Sequence, residues 1–148
     1  MQLSRVSLII PCSRDAATLA RAITSARIQT RYVDEIIVVN DCSPETAQIE
    51  RVLQDYPDVV YIKNAINLGL AATRNKGVGI AKSEVVSFLD ADDELHPQKI
   101  ELQSKVLRNN SAVTTGVCRV YPGKDVGTLT SYMDNPVYKV THGVGRML

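Results

Sequence analysis

Four short apolar runs recur along the chain, at positions 6–10, 35–39, 59–62 and 85–89. Each is rich in β-branched residues and nearly continuous rather than alternating, the pattern of a strand covered on both faces. Between the runs the apolar positions change to helical spacing. Leu19, Ala22, Ile23 and Ala26 form one stripe, Ile49, Val52 and Leu53 a second, and Leu70, Ala71, Gly77, Val78 and Ala81 a third. Past the fourth run, Pro97 stands where a helix would begin; Ile100, Leu102, Val106 and Leu107 continue it and Asn109-Asn110 stop it. Residues 112–121 read as a fifth strand.

Strands alternating with helices predict an α/β fold, a parallel sheet with right-handed crossovers and helices on both faces. Such sheets bind ligands beyond the carboxyl ends of their strands, where the strand order reverses. The polar clusters fall at those ends. Residues 11–15, 40–43, 64–67 and 90–93 each follow an apolar run, so all four are expected on one rim. The last is the most telling, because an apolar strand runs straight into Asp90, Asp92 and Asp93. Three carboxylates at one strand end repel each other and lose solvation, so they call for a cation. Oxygen donors suit Mg²⁺ or Mn²⁺, and Mg²⁺ commonly takes one or two protein carboxylates with substrate phosphates as further ligands. A solvated acidic turn is the plain alternative.

Length and composition narrow the partners. A chain of 148 residues with 45% hydrophobic and 22% charged residues is an ordinary soluble domain. Its 17 basic and 16 acidic residues leave a net charge of +1, so no global field favours nucleic acid or an anionic membrane, and selectivity must be local. No stretch approaches the roughly 18 apolar residues of a membrane span, and the N-terminus lacks a signal-peptide core. A cytoplasmic protein is expected, with peripheral attachment to the inner membrane face as its membrane option. Cys12, Cys42 and Cys118 are odd in number and unpaired by spacing, which predicts buried free thiols rather than disulfides or a zinc knuckle. Gly123, Gly127, Pro136, Gly143 and Gly145 break periodicity near the C-terminus. The expected division is a ligand-binding domain over 1–121 and an irregular segment over 122–148.

Asp41 closes the second apolar run and favours a ligand role, accepting hydrogen bonds from a nucleobase or ribose. Ser43 is balanced between nucleotide contact and helix capping ahead of Pro44. Gly69 lies near a helix start, and Arg74 could aim a guanidinium at phosphate or form a surface ion pair. His96 and His142 are weak candidates for metal ligation. No catalytic triad has usable spacing, the phosphate-binding loop ending in Gly-Lys-Ser/Thr is absent, and Gly77-Val-Gly79 lies too late in a helix for a dinucleotide fingerprint.

Taken together, Val6-Ser-Leu-Ile-Ile-Pro11, Glu35-Ile-Ile-Val-Val-Asn-Asp-Cys-Ser43, Asn67-Leu-Gly69 with Arg74-Asn75-Lys-Gly77, and Phe88-Leu-Asp-Ala-Asp-Asp93 resemble the family 2 glycosyltransferases over about residues 4 to 108. The resemblance implies the GT-A fold, a Rossmann-like mostly parallel sheet, here cut short on its C-terminal acceptor side. It also implies inverting transfer of a sugar from a nucleoside diphosphate, usually UDP, to a glycan, lipid or other hydroxyl acceptor. Pro11, Ser13 and Asp15 would line the base pocket, with Asp41, Ser43 and Asn67 near the base or ribose and Arg74 near the base or diphosphate. Asp90 and Ala91 would approach the ribose, and Asp90 with Asp92, the principal ligand, would hold Mg²⁺ or Mn²⁺ in a DXD motif, with Asp93 completing the acidic loop. Three departures stand out. Ser13 and Arg14 replace an aromatic residue and Asn, Asn40 replaces Asp, and Cys42 replaces a Gly, tolerable only if that position avoids positive φ. The family's catalytic carboxylate lies well downstream; Asp125 and Asp134 match no motif, so the general base is expected outside this chain. The chain is therefore expected to be the donor-binding part of a longer enzyme, or a non-catalytic nucleotide-sugar module.

Overall fold

The computed structural model describes residues 5–107. The chain divides into two compact units, Met1–Ser104 and Lys105–Leu148, and the description concerns the first together with the end of the helix that leaves it. Its centre is β1 (Val6–Cys12), every residue of which is buried. β2 (Glu35–Asn40) and β4 (Val85–Phe88) flank it, and β3 (Val60–Lys63) pairs with β2, giving the order β3-β2-β1-β4 with all pairs parallel. The order reverses between β1 and β4, because the chain builds leftward to β3 and then crosses back. That is where a parallel sheet opens a crevice.

Successive side chains of a strand point to opposite faces, and both faces are filled. Leu8, Ile10, Ile36 and Val38 join one core with Leu19, Ala22, Ile23 and Ala26 of α1 (Ala16–Arg27) and Ile49 of α2 (Thr46–Leu53). Ile9, Ile37 and Val39 form the other, packed against Val60, Ile80, Val86 and Phe88. The predicted α1 stripe is thus fully buried.

The third stripe is a correction. Along α3 (Leu70–Ile80) the buried positions are Thr73 and Gly77, while Leu70 is 52% and Val78 37% exposed. Small residues set this contact: a Cβ at Gly77 would lie 2.5 Å from Cγ2 of Ile9, so the helix backbone itself rests on β1. α2 begins at Thr46 rather than Pro44, because Ser43 Oγ accepts the Glu45 N–H and turns the chain first. α4 (Lys99–Leu107) likewise starts two residues after Pro97, with Ile100 its buried anchor. Gln29 ties that segment to the end of α1, donating to the His96 carbonyl at 2.9 Å and accepting the Ile100 N–H at 3.1 Å. The expected fifth strand, the 121/122 boundary, the Asn109-Asn110 stop, Cys118, Asp125, Asp134 and His142 lie outside the described residues. No helix among the described residues is long and apolar enough to cross a membrane.

Candidate active site

A cleft of about 310 Å³ opens at the carboxyl ends of the strands, lined by Pro11, Cys12, Ser13, Asp15, Asp41, Asn67, Gly69, Leu70, Thr73, Asp90, Ala91 and Asp92. The segments that follow all four strands contribute. Of the sequence candidates, Ser43 and Arg74 do not line it, whereas Leu70 and Thr73 do and had no signal as site residues.

After β1, Asp15 turns back on its own loop: its carboxylate accepts the Ser13 and Arg14 N–H groups, each at 3.2 Å. Its carbonyl then receives the first amides of α1. Cys12 is buried, and desolvation, followed by the charge of Asp15, pushes its thiol up to about 12. It is a packing residue with no thiolate to offer.

After β2, Asn40 is fully buried, donating to Thr46 Oγ1 at 2.9 Å and Tyr61 Oη at 2.8 Å and accepting the Ser43 N–H at 2.8 Å. An amide is needed here because the site demands both donors and an acceptor, which a carboxylate cannot supply. Asp41 is 4% exposed. It accepts the Asn64 amide at 2.7 Å, the Leu68 N–H at 2.8 Å and the Gly69 N–H at 2.9 Å. Desolvation raises its pKa, but the hydrogen bonds from Leu68, Asn64, Thr73 and Gly69 outweigh it and hold the carboxyl below its usual value. Asp41 is therefore the brace of the loop after β3 as well as a wall of the cleft. Cys42 is exposed, not buried as expected, and adopts φ 54, the left-handed conformation its replacement of Gly had put in question. A non-glycine residue pays about 1 kcal/mol for that geometry.

After β3, Asn64 is clamped between Asp41 and the Lys76 ammonium, which donates to its carbonyl oxygen at 2.7 Å. Asn67 donates to the Asp41 carbonyl at 3.1 Å. Gly69 then opens α3 at φ 80, a conformation suited to glycine.

After β4, the Asp93 N–H donates to the Asp90 carbonyl at 3.0 Å, folding the acidic residues into a turn that sets Asp90 and Asp92 toward the cleft. Arg74 Nη2 lies 2.5 Å from Asp90 Oδ1, and its guanidinium sits 5.5 Å from the Phe88 ring centroid. Arg21 donates to the Asp92 carbonyl at 3.1 Å and pairs with Glu94. Desolvation, then the charges of Asp92 and Asp90, raise the pKa of Asp93 against the opposing pull of Arg21. His96 accepts the Gln98 N–H at 3.3 Å and stands outside the cleft.

Among the described residues no three His, Cys, Asp or Glu side chains are gathered to hold a metal. Two carboxylates, Asp90 and Asp92, supply oxygen donors of the kind a hard cation takes. With Asp15 and Asp41 they make the cleft acidic.

A family model described as glycosyl transferase family 2 matches residues 7–142. The chain belongs to that family. An uncharacterized glycosyltransferase of Methanocaldococcus jannaschii is 32% identical over 125 residues, covering 82% of this chain and 43% of the relative. A mannosyltransferase from Pyrobaculum calidifontis, solved with GDP-Man and Mn²⁺, superposes with a TM-score of 0.70 at 21% identity over 80% of this chain and 37% of its own. TarS of S. aureus, residues 1–349 with UDP, gives 0.65 at 22% identity over 82% and 38%. The fold of this family 2 domain is that of the GT-A glycosyltransferases, and the chain spans less than half the length of these relatives.

Proposed function

We propose that this family 2 domain binds a nucleoside-diphosphate sugar, UDP-linked, together with Mg²⁺ or Mn²⁺, and presents the sugar for inverting transfer to a hydroxyl of a glycan, lipid or other acceptor. The observation that carries this reading is the convergence of four strand ends on one cleft whose wall includes Asp15, Asp41, Asp90 and Asp92. A dianionic diphosphate entering among carboxylates needs a cation between them. The solved neighbours hold UDP in one case and GDP-Man with Mn²⁺ in the other.

In this reading Asp41, bonded by Asn64, Leu68 and Gly69, fixes the loop that shapes the nucleoside side of the cleft. Ser13 and Asp15 line the same cleft. Ser43, bonded to Glu45, supports the turn beneath rather than touching the ligand. Asp90 and Asp92 would hold the cation, which would neutralise the charge growing on the departing nucleoside diphosphate. The acceptor oxygen attacks the anomeric carbon from the face opposite the diphosphate and loses its proton to a base outside the described residues. A cytoplasmic setting matches free rather than disulfide-bonded Cys12 and Cys42.

Calorimetric titration of UDP, GDP and their sugar conjugates, with and without Mn²⁺, tests the reading. Binding that requires Mn²⁺ and disappears in Asp92→Ala supports it; failure of every nucleoside diphosphate to bind overturns it.

A further inference from the structure

Asp90 does not face the cleft as a free carboxylate. Arg74, from the first half of α3, already sits 2.5 Å from its Oδ1, braced from behind by the Phe88 ring. The pair is partly buried, with 33% of the arginine and 43% of the aspartate side chain exposed, so it keeps more of its attraction than a fully solvated pair. The guanidinium is also under-satisfied: Arg74 Nε is buried and has no hydrogen-bond partner. Through Asp90 the guanidinium stands at the margin of the cleft, and an arginine held there by one contact to a carboxylate has a better partner in a diphosphate, whose oxygens accept two guanidinium N–H groups at once.

We infer that Arg74 is an exchangeable counterion for Asp90, which makes binding of the divalent cation conditional on the diphosphate. This rests on the donor-site reading above. In the nucleotide-free protein Arg74 neutralises Asp90 and leaves Asp92 as the one uncommitted carboxylate of the pair, too few protein ligands to retain a hard cation. An arriving diphosphate offers the guanidinium two oxygens in place of one and draws it off. Asp90 is released in the same movement and completes the cation site together with the phosphate oxygens. Arg74 is thus a positioning residue that couples two ligands, and the coupling is reciprocal: whatever the nucleotide adds to cation affinity, the cation adds to nucleotide affinity.

The test measures Mn²⁺ alone, by the loss of the free-ion electron paramagnetic resonance signal, against wild type and Arg74→Gln, and then UDP with saturating Mn²⁺. Weak Mn²⁺ binding by nucleotide-free wild type, tightened about three- to tenfold in Arg74→Gln while UDP affinity falls, supports the exchange. Mn²⁺ affinity that is unchanged or weaker in a folded Arg74→Gln protein overturns it, provided wild type binds UDP with Mn²⁺. Failure of wild type to bind UDP at all instead removes the donor-site reading, so the two failures are distinct. Should Arg74→Gln not fold, Arg74→Lys serves: its ammonium lacks the planar fork, so metal-alone affinity rises less but in the same direction, and no change again overturns the proposal.

Discussion

The Gly69 N–H donates to Asp41 Oδ2 at 2.9 Å, across 28 positions of sequence, and so fastens the start of α3 to the end of β2. With Leu68 N–H and the Asn64 amide on the other oxygen, one buried carboxylate organises the loop after β3. Asp41→Ala strands the buried Asn64 amide and frees the Leu68 and Gly69 N–H groups to solvent, and is expected to lower unfolding free energy by about 1–3 kcal/mol, read as a lower urea midpoint.

The same carboxyl sets part of the acid limb of stability. Its folded pKa lies below the unfolded value, so its contribution is complete above the unfolded carboxylate pKa and fades as pH falls through the lower, folded one. Urea midpoints measured from pH 6 downward should drop more steeply in wild type than in Asp41→Asn. Parallel curves would show that Asp41 is not a source of the acid sensitivity.

Lys99 gives the opposite slope. Burial lowers its pKa from 10.5 to about 8, and its ammonium donates to Ser87 Oγ at 3.1 Å. The folded state surrenders this proton more readily than the unfolded chain, so the penalty is full below pH 8 and is relieved as pH rises toward the unfolded value. Lys99→Met should be about 1–2 kcal/mol more stable at pH 7 and lose the rise in stability between pH 8 and 10.

Backbone and packing separate the glycines. Gly77→Ala drives a methyl group into Ile9 and should destabilise by about 1–3 kcal/mol. Gly79→Ala meets nothing within 4 Å and should stabilise by about 0.5–1 kcal/mol through helix propensity. Equal Tm shifts for the two would contradict direct contact between α3 and β1.

Cys42→Gly relieves φ 54 and should gain about 1 kcal/mol, offset in part by the greater entropy of an unfolded glycine. Peptide mapping after maleimide treatment of native protein should find Cys42 modified and Cys12 intact, since only the former is exposed.

The strands and the α1 stripe were legible because continuous β-branched runs and helical spacing each report burial directly, as Ile9, Ile37, Leu19 and Ile23 show. The rim followed from topology, since Asp41, Asn67 and Asp90 all end up beside one cleft. α3 was misread because its contact is made by absence of side chain: at Gly77 hydrophobicity carries no information, while Leu70 borders the cleft and Val78 is exposed. Nothing along the chain shows that Asp41 would spend its oxygens on backbone amides, or which carboxylate would take the ion pair open to Arg74. Those are relations between distant positions. Residue type narrows such partners without choosing among them.

The central position of β1 fixes when the cleft can exist during folding. β1 meets β2 across a modest loop, but its other edge waits for β4, and the Ser83 N–H that bonds Ser7 Oγ lies 76 positions further along the chain. Closing that loop costs more entropy than any pairing before it. The nucleoside wall, built after β1, β2 and β3, can therefore assemble during synthesis while the acidic wall is still unmade. Only when β4 docks do Asp90 and Asp92 arrive opposite Asp41. Among the described strands the site is completed at the last and longest-range pairing, so loosened β4 pairing should abolish cation-dependent binding before it unravels β1–β3.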